Sequence, residues 1–161
     1  LPRWVRSIIH NRKTCDMLIC LEHLMRGETD WEETLENMAD LEHATEINWR
    51  ASYNGWNAFL VAAFQGNAKA LFKLEMWVVD EDRVKWQELA GMRSHKPSMS
   101  LLMCLARGHT VASEDDKFNI RMFLQKVIEH AKLSDLNYAD GAGSTALHVC
   151  ALHGLERPVE L

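Results

Sequence analysis

The stretch that most restricts the fold is residues 136–161, which read LNYADGAGSTALHVCALHGLERPVEL. A turn-rich segment at 140–143 precedes a short apolar helix pattern, Gly154 interrupts that pattern, and Pro158 begins a second helix. Loop, helix, tight turn and second helix make one supersecondary unit of a stacked-repeat protein. Because one such unit cannot bury its own apolar face, the chain is predicted to contain companion units.

The same stretch resembles the ankyrin repeat, whose pattern reads roughly V-N-x-x-D-x-x-G-x-T-P-L-H-x-A-A-x-x-G-H-x-x-x-V-x-x-L-L. The matching positions are Leu136, Asn137, Asp140, Gly143, the tetrad at 145–148, Cys150, Ala151, Gly154 and Val159. Two positions depart from the pattern, since Ala146 replaces the usual proline and Leu155 the usual histidine. The chain ends inside the second helix of this copy, so a longer parent protein is expected.

Two further copies of the pattern precede this one. The clearer copy spans 47–74, where Gly55 and Gly66 are as far apart as Gly143 and Gly154. The weaker copy spans 97–132, with a first helix at 99–109 and a second helix predicted at 119–132. Three glycines, Gly66, Gly108 and Gly154, are predicted to end the three first helices. They lie farther apart than the family period of about 33 residues, which predicts insertions between the copies.

These copies predict an all-α fold, an ankyrin-repeat solenoid of stacked helix-turn-helix units with helical insertions and a helical N-terminal region. Residues 1–46 would form the N-terminal region, as a cap or a degenerate repeat, in which Gly27 ends one helix and Thr29 begins another at about 31–45. Residues 47–161 would form the array, with insertions near 75–96 and 110–118 and a truncated last repeat. Asp82 is predicted to cap a short helix ending at Gly91, and 110–117 is expected to be a mobile loop.

Composition narrows the function classes. The net charge of −5 and the isoelectric point near 5.9 argue against a general binder of nucleic-acid backbones. The longest apolar run, 58–64, is far shorter than the roughly 20 residues of a membrane-spanning helix. Four cysteines without a disulfide-dense pattern favour an intracellular protein, cytoplasmic or nuclear.

The resemblance implies a noncatalytic scaffold that binds a partner protein or peptide on a concave surface. The residues expected on that surface are Arg50, Tyr53, Asn54, Trp56, Phe64, Gln65, Arg107 and His153. Arginine and large aromatic residues are the types that anchor interfaces. An alternative is that Trp49 and Trp56 pack against the acidic helix or the first insertion. The acidic segment 27–49 has eight carboxylates and no Lys or Arg, which indicates a solvated helix face or a patch that steers a basic partner.

Other functions are kept as alternatives. The chain could be a regulatory or targeting segment of a larger enzyme or transcription regulator. Cys20 and His23 share a helix face and could present two metal ligands, and His148 with Cys150 could suggest a metal or thiol enzyme. No second ligand pair accompanies Cys20 and His23. The repeat frame accounts better for His148 and Cys150, because the slot shared by Ala62, Cys104 and Cys150 requires a small apolar side chain. By resemblance, His148 would hydrogen-bond across neighbouring loops. No catalytic residue, metal ligand or cofactor is therefore predicted, and the oligomeric state stays open.

Overall fold

Short helices joined by tight turns make up the computed structural model of this chain, which describes residues 20–39, 54–76, 85–95 and 97–152. The helices are α1 (20–26 in its described part), α2 (Asp30–Ala39), α3 (Ala58–Gln65), α4 (Ala68–Leu74), α5 (Trp86–Ala90), α6 (Leu101–Val111), α7 (Glu114–His130), α8 (Leu133–Leu136) and α9 (Ala146–Leu152). Within these ranges the structure has no β-strand, so the prediction of an all-α fold is confirmed. None of the helices in these ranges has the length and apolar character needed to cross a membrane.

Two glycines end helices with the same hydrogen-bond pattern. At the end of α1, Gly27 N donates to Leu24 O at 3.1 Å and Glu28 N to His23 O at 3.0 Å. At the end of α3, Gly66 N donates to Ala63 O and the next amide to Ala62 O. Both glycines have positive φ, 70° and 68°, which only glycine adopts without strain. The predicted ends of these two helices are therefore confirmed, and each glycine is followed closely by a second helix.

Helix α6 is central to the helix contacts of the described residues. It packs against both α3 and α9, and α4 contacts α7. Near the start of α3, Asn54 O accepts a hydrogen bond from His95 N, which precedes α6. At the other end of α3, the backbone around Ala63 meets Gly108 of α6. Since start meets start and end meets end, α3 and α6 run in the same direction.

Gly108 does not end its helix, and the prediction that it would do so is wrong. α6 continues through Gly108 to Val111, and Gly108 is buried. A Cβ at this position would overlap the carbonyl oxygen of Ala63 and lie 3.0 Å from its carbonyl carbon. Glycine is required here because two helix backbones approach closely.

The predicted loop at 110–117 is also wrong, because only Ala112 and Ser113 separate α6 from α7. The second helix accordingly starts at Glu114 instead of 119. Its first turn carries three acids, Glu114, Asp115 and Asp116, which the positive end of a helix dipole favours. α7 contacts α4, α5 and α6.

The first insertion contributes α5 to the core. α5 ends at Gly91 as predicted, whereas the proposed cap Asp82 lies outside the described residues. Leu89 is fully buried, and the ring of Trp86 meets Phe123 of α7 edge to face at 5.4 Å. Burial of these side chains fixes the described end of the insertion against α7.

Ion pairs connect α2 to α4. Glu32 lies 2.8 Å from the Lys69 amine and 2.9 Å from the Lys73 amine, and Glu36 lies 2.7 Å from Lys73. Hydrogen bonds from both lysines lower the pKa of Glu32 below its ordinary value of 4.5. Part of the acidic segment therefore pairs with lysines of the same chain.

This pairing predicts a pH effect. A carboxylate whose folded-state pKa is lowered contributes stability above its unfolded pKa, and the contribution is lost as pH falls through the folded pKa. We expect Glu32→Gln to lose less unfolding free energy than the unmodified protein between neutral pH and about pH 4. Urea unfolding at the two pH values measures the difference, with the exposed Glu33→Gln on the same helix as control. Equal pH slopes for Glu32→Gln and the unmodified protein would contradict the expectation.

Candidate functional site

The structure describes five of the eight residues expected to bind a partner. They are Asn54, Trp56, Phe64, Gln65 and Arg107, whereas Arg50, Tyr53 and His153 lie outside the described residues. The five belong to the turn before α3, to the end of α3 and to α6. Three of them meet in one cluster, and a fourth lies beside it at the end of α3.

The aromatic–arginine cluster consists of Trp56, Phe64 and Arg107. The rings of Trp56 and Phe64 meet edge to face, with centroids 5.3 Å apart and planes at 75°. The Arg107 guanidinium carbon lies 3.6 Å from the centre of the Phe64 ring, a cation–π arrangement. Both aromatic residues are half-buried and pack against the core. The cluster thus joins α3 to α6 and presents one partly exposed aromatic and cationic surface.

A backbone contact accompanies the cluster and recurs one helix earlier. An Arg107 side-chain nitrogen donates to Phe64 O at 2.5 Å, and the Gln65 amide nitrogen donates to Met25 O at 3.1 Å. Arg107 directly precedes Gly108, just as Gln65 precedes Gly66. The acceptors Met25 and Phe64 each lie two residues before a glycine, Gly27 or Gly66. We call this repeated contact the carbonyl link, and it joins α1 to α3 and α3 to α6.

An open cleft lies along the same helix ends. It has a volume of about 580 Å³ and is here named the end cleft. Its lining residues are Met25, Arg26, Gly27, Gln65, Gly66, Asn67, Arg107, Val111, Ala112, Ser113 and Asp116. Met25 is 49% exposed and Val111 is 51% exposed, so two apolar side chains face solvent beside two arginines. This mixture of apolar side chains and hydrogen-bond donors suits a peptide segment better than a small apolar ligand.

Sequence reasoning missed Met25 and Val111. Met25 continues the apolar helical pattern of Leu21 and Leu24, and those two leucines are buried. Val111 was assigned to a loop that is the last turn of α6. Helical periodicity places a residue on a face, but it does not show where the packing partner stops. No local signal therefore distinguished Met25 from the buried leucines.

Asn54 forms part of a turn that reaches the next helix pair. Its φ is 51° and that of Gly55 is 78°, so both residues have left-handed backbone. Asn54 O accepts the amide hydrogen of His95 at 2.9 Å. A Cβ on Gly55 would lie 2.9 Å from the same amide nitrogen. The turn is thus held close to the segment that precedes α6, while the Asn54 side chain remains exposed.

The cysteines described by the structure have the properties of core residues. Burial raises the pKa of Cys20 and Cys104 to about 12 and that of Cys150 to about 11. These thiols stay protonated at neutral pH, whereas a nucleophile or metal ligand must be a thiolate. Ala62, at the slot shared with Cys104 and Cys150, is also buried. Burial at all three positions agrees with the predicted need for a small apolar side chain.

His148 makes its described hydrogen bonds within its own turn. Its Nδ1 accepts from Thr145 N at 3.0 Å and lies 2.9 Å from Thr145 Oγ1. The resemblance implied a bond across neighbouring loops, whereas these contacts close the start of α9. The preceding turn is closed by Asp140, whose Oδ1 accepts from Ala142 N and Ser144 N, both at 2.9 Å. These bonds fix the conformation of the turn and of the first residues of α9.

Comparisons of the chain with protein-family models, with curated proteins and with solved structures gave no match. Any function must consequently be inferred from the geometry described above.

Proposed function

We propose that this chain is a noncatalytic interaction module of ankyrin type, which binds a partner protein or peptide at the end cleft and the adjoining aromatic–arginine cluster. The observation that carries the proposal is the carbonyl link. It occurs twice at the same distance in sequence from a glycine, between α1 and α3 and between α3 and α6. A contact repeated in register is what stacking of similar units produces.

Burial supports the same arrangement. Phe59 and Leu101 stand seven residues before Gly66 and Gly108, and both are fully buried. Leu147 stands seven residues before Gly154 and is 48% exposed. In a stack, each unit covers the apolar face of the one before it, and an end unit keeps one face uncovered. In this interpretation α1 and α2 form a degenerate first unit, and α9 belongs to the last described one.

The end cleft supports the binding role. Its exposed apolar residues and its arginines belong to the residue classes that anchor protein interfaces. The cleft lies on helix ends held together by hydrogen bonds from side chains to backbone carbonyls and by the cation–π contact. A wall fixed in this way loses little conformational entropy when a partner binds. The described cysteines are protonated core residues, which agrees with the proposed role of an intracellular adaptor.

The cleft can be tested without disturbing the core. Peptides selected against the protein from a displayed random library would be measured for affinity to Met25→Ala/Val111→Ala. Both side chains are about half exposed, so the folded state should tolerate their truncation. We expect affinity to fall by about tenfold or more, because truncation of two anchors removes roughly 1–2 kcal/mol of binding free energy or more.

The matched control is Met122→Ala/Leu133→Ala. These exposed apolar residues lie on α7 and α8 and do not line the end cleft. The control should keep the affinity of the unmodified protein. If both double variants bind the selected peptides equally well, the partner surface lies elsewhere and the proposed site is wrong.

A further inference from the structure

Three side chains with metal-ligand atoms surround the turn between α1 and α2. They are His23, Glu28 and Asp30, and one ligand atom from each lies within 4.8 Å of the others. An imidazole and two carboxylates form a ligand set that binds divalent transition metals. This cluster is separate from the aromatic–arginine cluster, and none of its three residues lines the end cleft.

The turn itself brings these residues together. Gly27 adopts left-handed backbone, and Glu28 N returns to donate a hydrogen bond to His23 O at 3.0 Å. α2 then begins at Asp30, which places its carboxylate in the first helical turn. The hydrogen-bonded turn therefore holds residues from the end of one helix and the start of the next at fixed separation.

His23 supplies an independent observation. Its Nδ1 is buried and has no hydrogen-bond partner among the described residues. Burying a polar atom without a hydrogen-bond partner destabilises a folded protein, so such an atom requires an explanation. Cys20 does not provide one, because its Sγ donates to Trp31 O at 3.7 Å. The structure thus groups His23 with the two acids instead of with the cysteine one turn earlier.

We propose that His23, Glu28 and Asp30 bind a divalent transition-metal ion such as zinc. Zinc–ligand bonds of about 2.0–2.2 Å place tetrahedral ligand atoms about 3.4 Å apart. Because the three atoms lie within 4.8 Å of one another, they must approach by at most about 1.4 Å, which rotation of the exposed carboxylates can supply. Magnesium and calcium prefer oxygen-only sites, so the imidazole selects against them.

The surrounding charges favour a cation and limit its affinity. The two carboxylates are the acids of the site, and Arg26 is the nearby cation, 3.9 Å from Glu28. Arg26 makes a shorter ion pair with Glu22, at 2.7 Å. Glu28 can therefore turn towards a metal while Arg26 keeps its closer partner. Three protein ligands leave the remaining positions to water. A bound ion would tie the end of α1 to the start of α2 and so stabilise the folded chain.

Zinc binding to chelator-treated protein tests the proposal by titration calorimetry. Other histidines and cysteines contribute background, so the comparison is with Glu28→Gln/Asp30→Asn, which replaces two exposed carboxylates by amides. We expect the unmodified protein to bind one more zinc ion than this variant, or to bind its tightest zinc at least tenfold more strongly. Zinc should raise the melting temperature of the unmodified protein more than that of the variant. Magnesium at the same concentration should not compete.

The control is Glu33→Gln/Asp115→Asn, which removes the same charge from two exposed acids that are not part of the proposed site. It should bind zinc as the unmodified protein does. Zinc should also shift the imidazole resonances of His23 in the unmodified protein, a readout that needs no substitution. The proposal is overturned if the unmodified protein binds no zinc, if the amide variant binds it equally well, or if the His23 resonances do not move.

Discussion

Gly108→Ala is expected to destabilise the protein severely. The added Cβ would overlap Ala63 O and lie 3.1 Å from Gly66 N, so backbone of α3 would have to move. Overpacking a core usually costs about 1–3 kcal/mol, and a clash with backbone instead of a flexible side chain belongs at or above the upper end. We expect a loss of about 3 kcal/mol or more, which lowers the melting temperature by roughly 6–12 °C in a chain of this size.

The matched control is Gly141→Ala. A Cβ added at Gly141 would meet no atom within 4 Å, and this glycine does not have positive φ, so the same substitution should leave stability nearly unchanged. Thermal unfolding of both variants measures the difference. A Gly108→Ala protein as stable as the Gly141→Ala protein would show that α3 and α6 do not approach as described.

Phe59→Ala and Leu101→Ala are expected to cost far more stability than Leu147→Ala. Phe59 and Leu101 are fully buried, whereas Leu147 is 48% exposed. Truncation of a buried Phe costs about 3–5 kcal/mol and of a buried Leu about 2–5 kcal/mol, because lost burial adds to the cavity left behind. An exposed leucine lacks both contributions, so Leu147→Ala should change the unfolding free energy by about 0.5 kcal/mol or less.

Denaturant unfolding of the three variants measures these costs. The comparison is informative because all three residues stand seven positions before a glycine. Equal losses at the three positions would contradict the proposal that one face of α9 is left uncovered. Small losses at Phe59 and Leu101 would instead contradict the described core.

Locally determined features were predictable from sequence. Gly27 and Gly66 end helices through positive φ and two backbone hydrogen bonds, and both depend on residues close in the chain. Gly108 occupies the equivalent position of the sequence pattern, but it lies inside a helix. It is needed there because the backbone of α3 approaches it closely. The acids at 114–116 were interpreted as part of a loop, although acids also favour the first turn of a helix.

In the candidate site, too, locally determined features were predictable and features that depend on distant helices were not. Trp56, Phe64 and Arg107 were chosen for residue type and motif position, and the structure brings them into one cluster. The carbonyl link could not be predicted, since it depends on the relative placement of helices about 40 residues apart in sequence. Exposure of Met25 likewise depends on where neighbouring helices end. Helical periodicity alone contains neither kind of information.

In both carbonyl links the donor side chain comes later in the chain than the carbonyl that accepts its hydrogen bond. The last carbonyl groups of a helix accept no hydrogen bond within that helix. Here Met25 O accepts one from Gln65 of α3, and Phe64 O accepts one from Arg107 of α6. The terminal carbonyls of α1 and α3 thus receive their hydrogen bonds from helices that come later in the chain. Neither carbonyl link runs in the opposite direction, from an earlier helix to a carbonyl of a later one. During synthesis from the N-terminus, the end of α3 would stay hydrated until α6 emerged and docked.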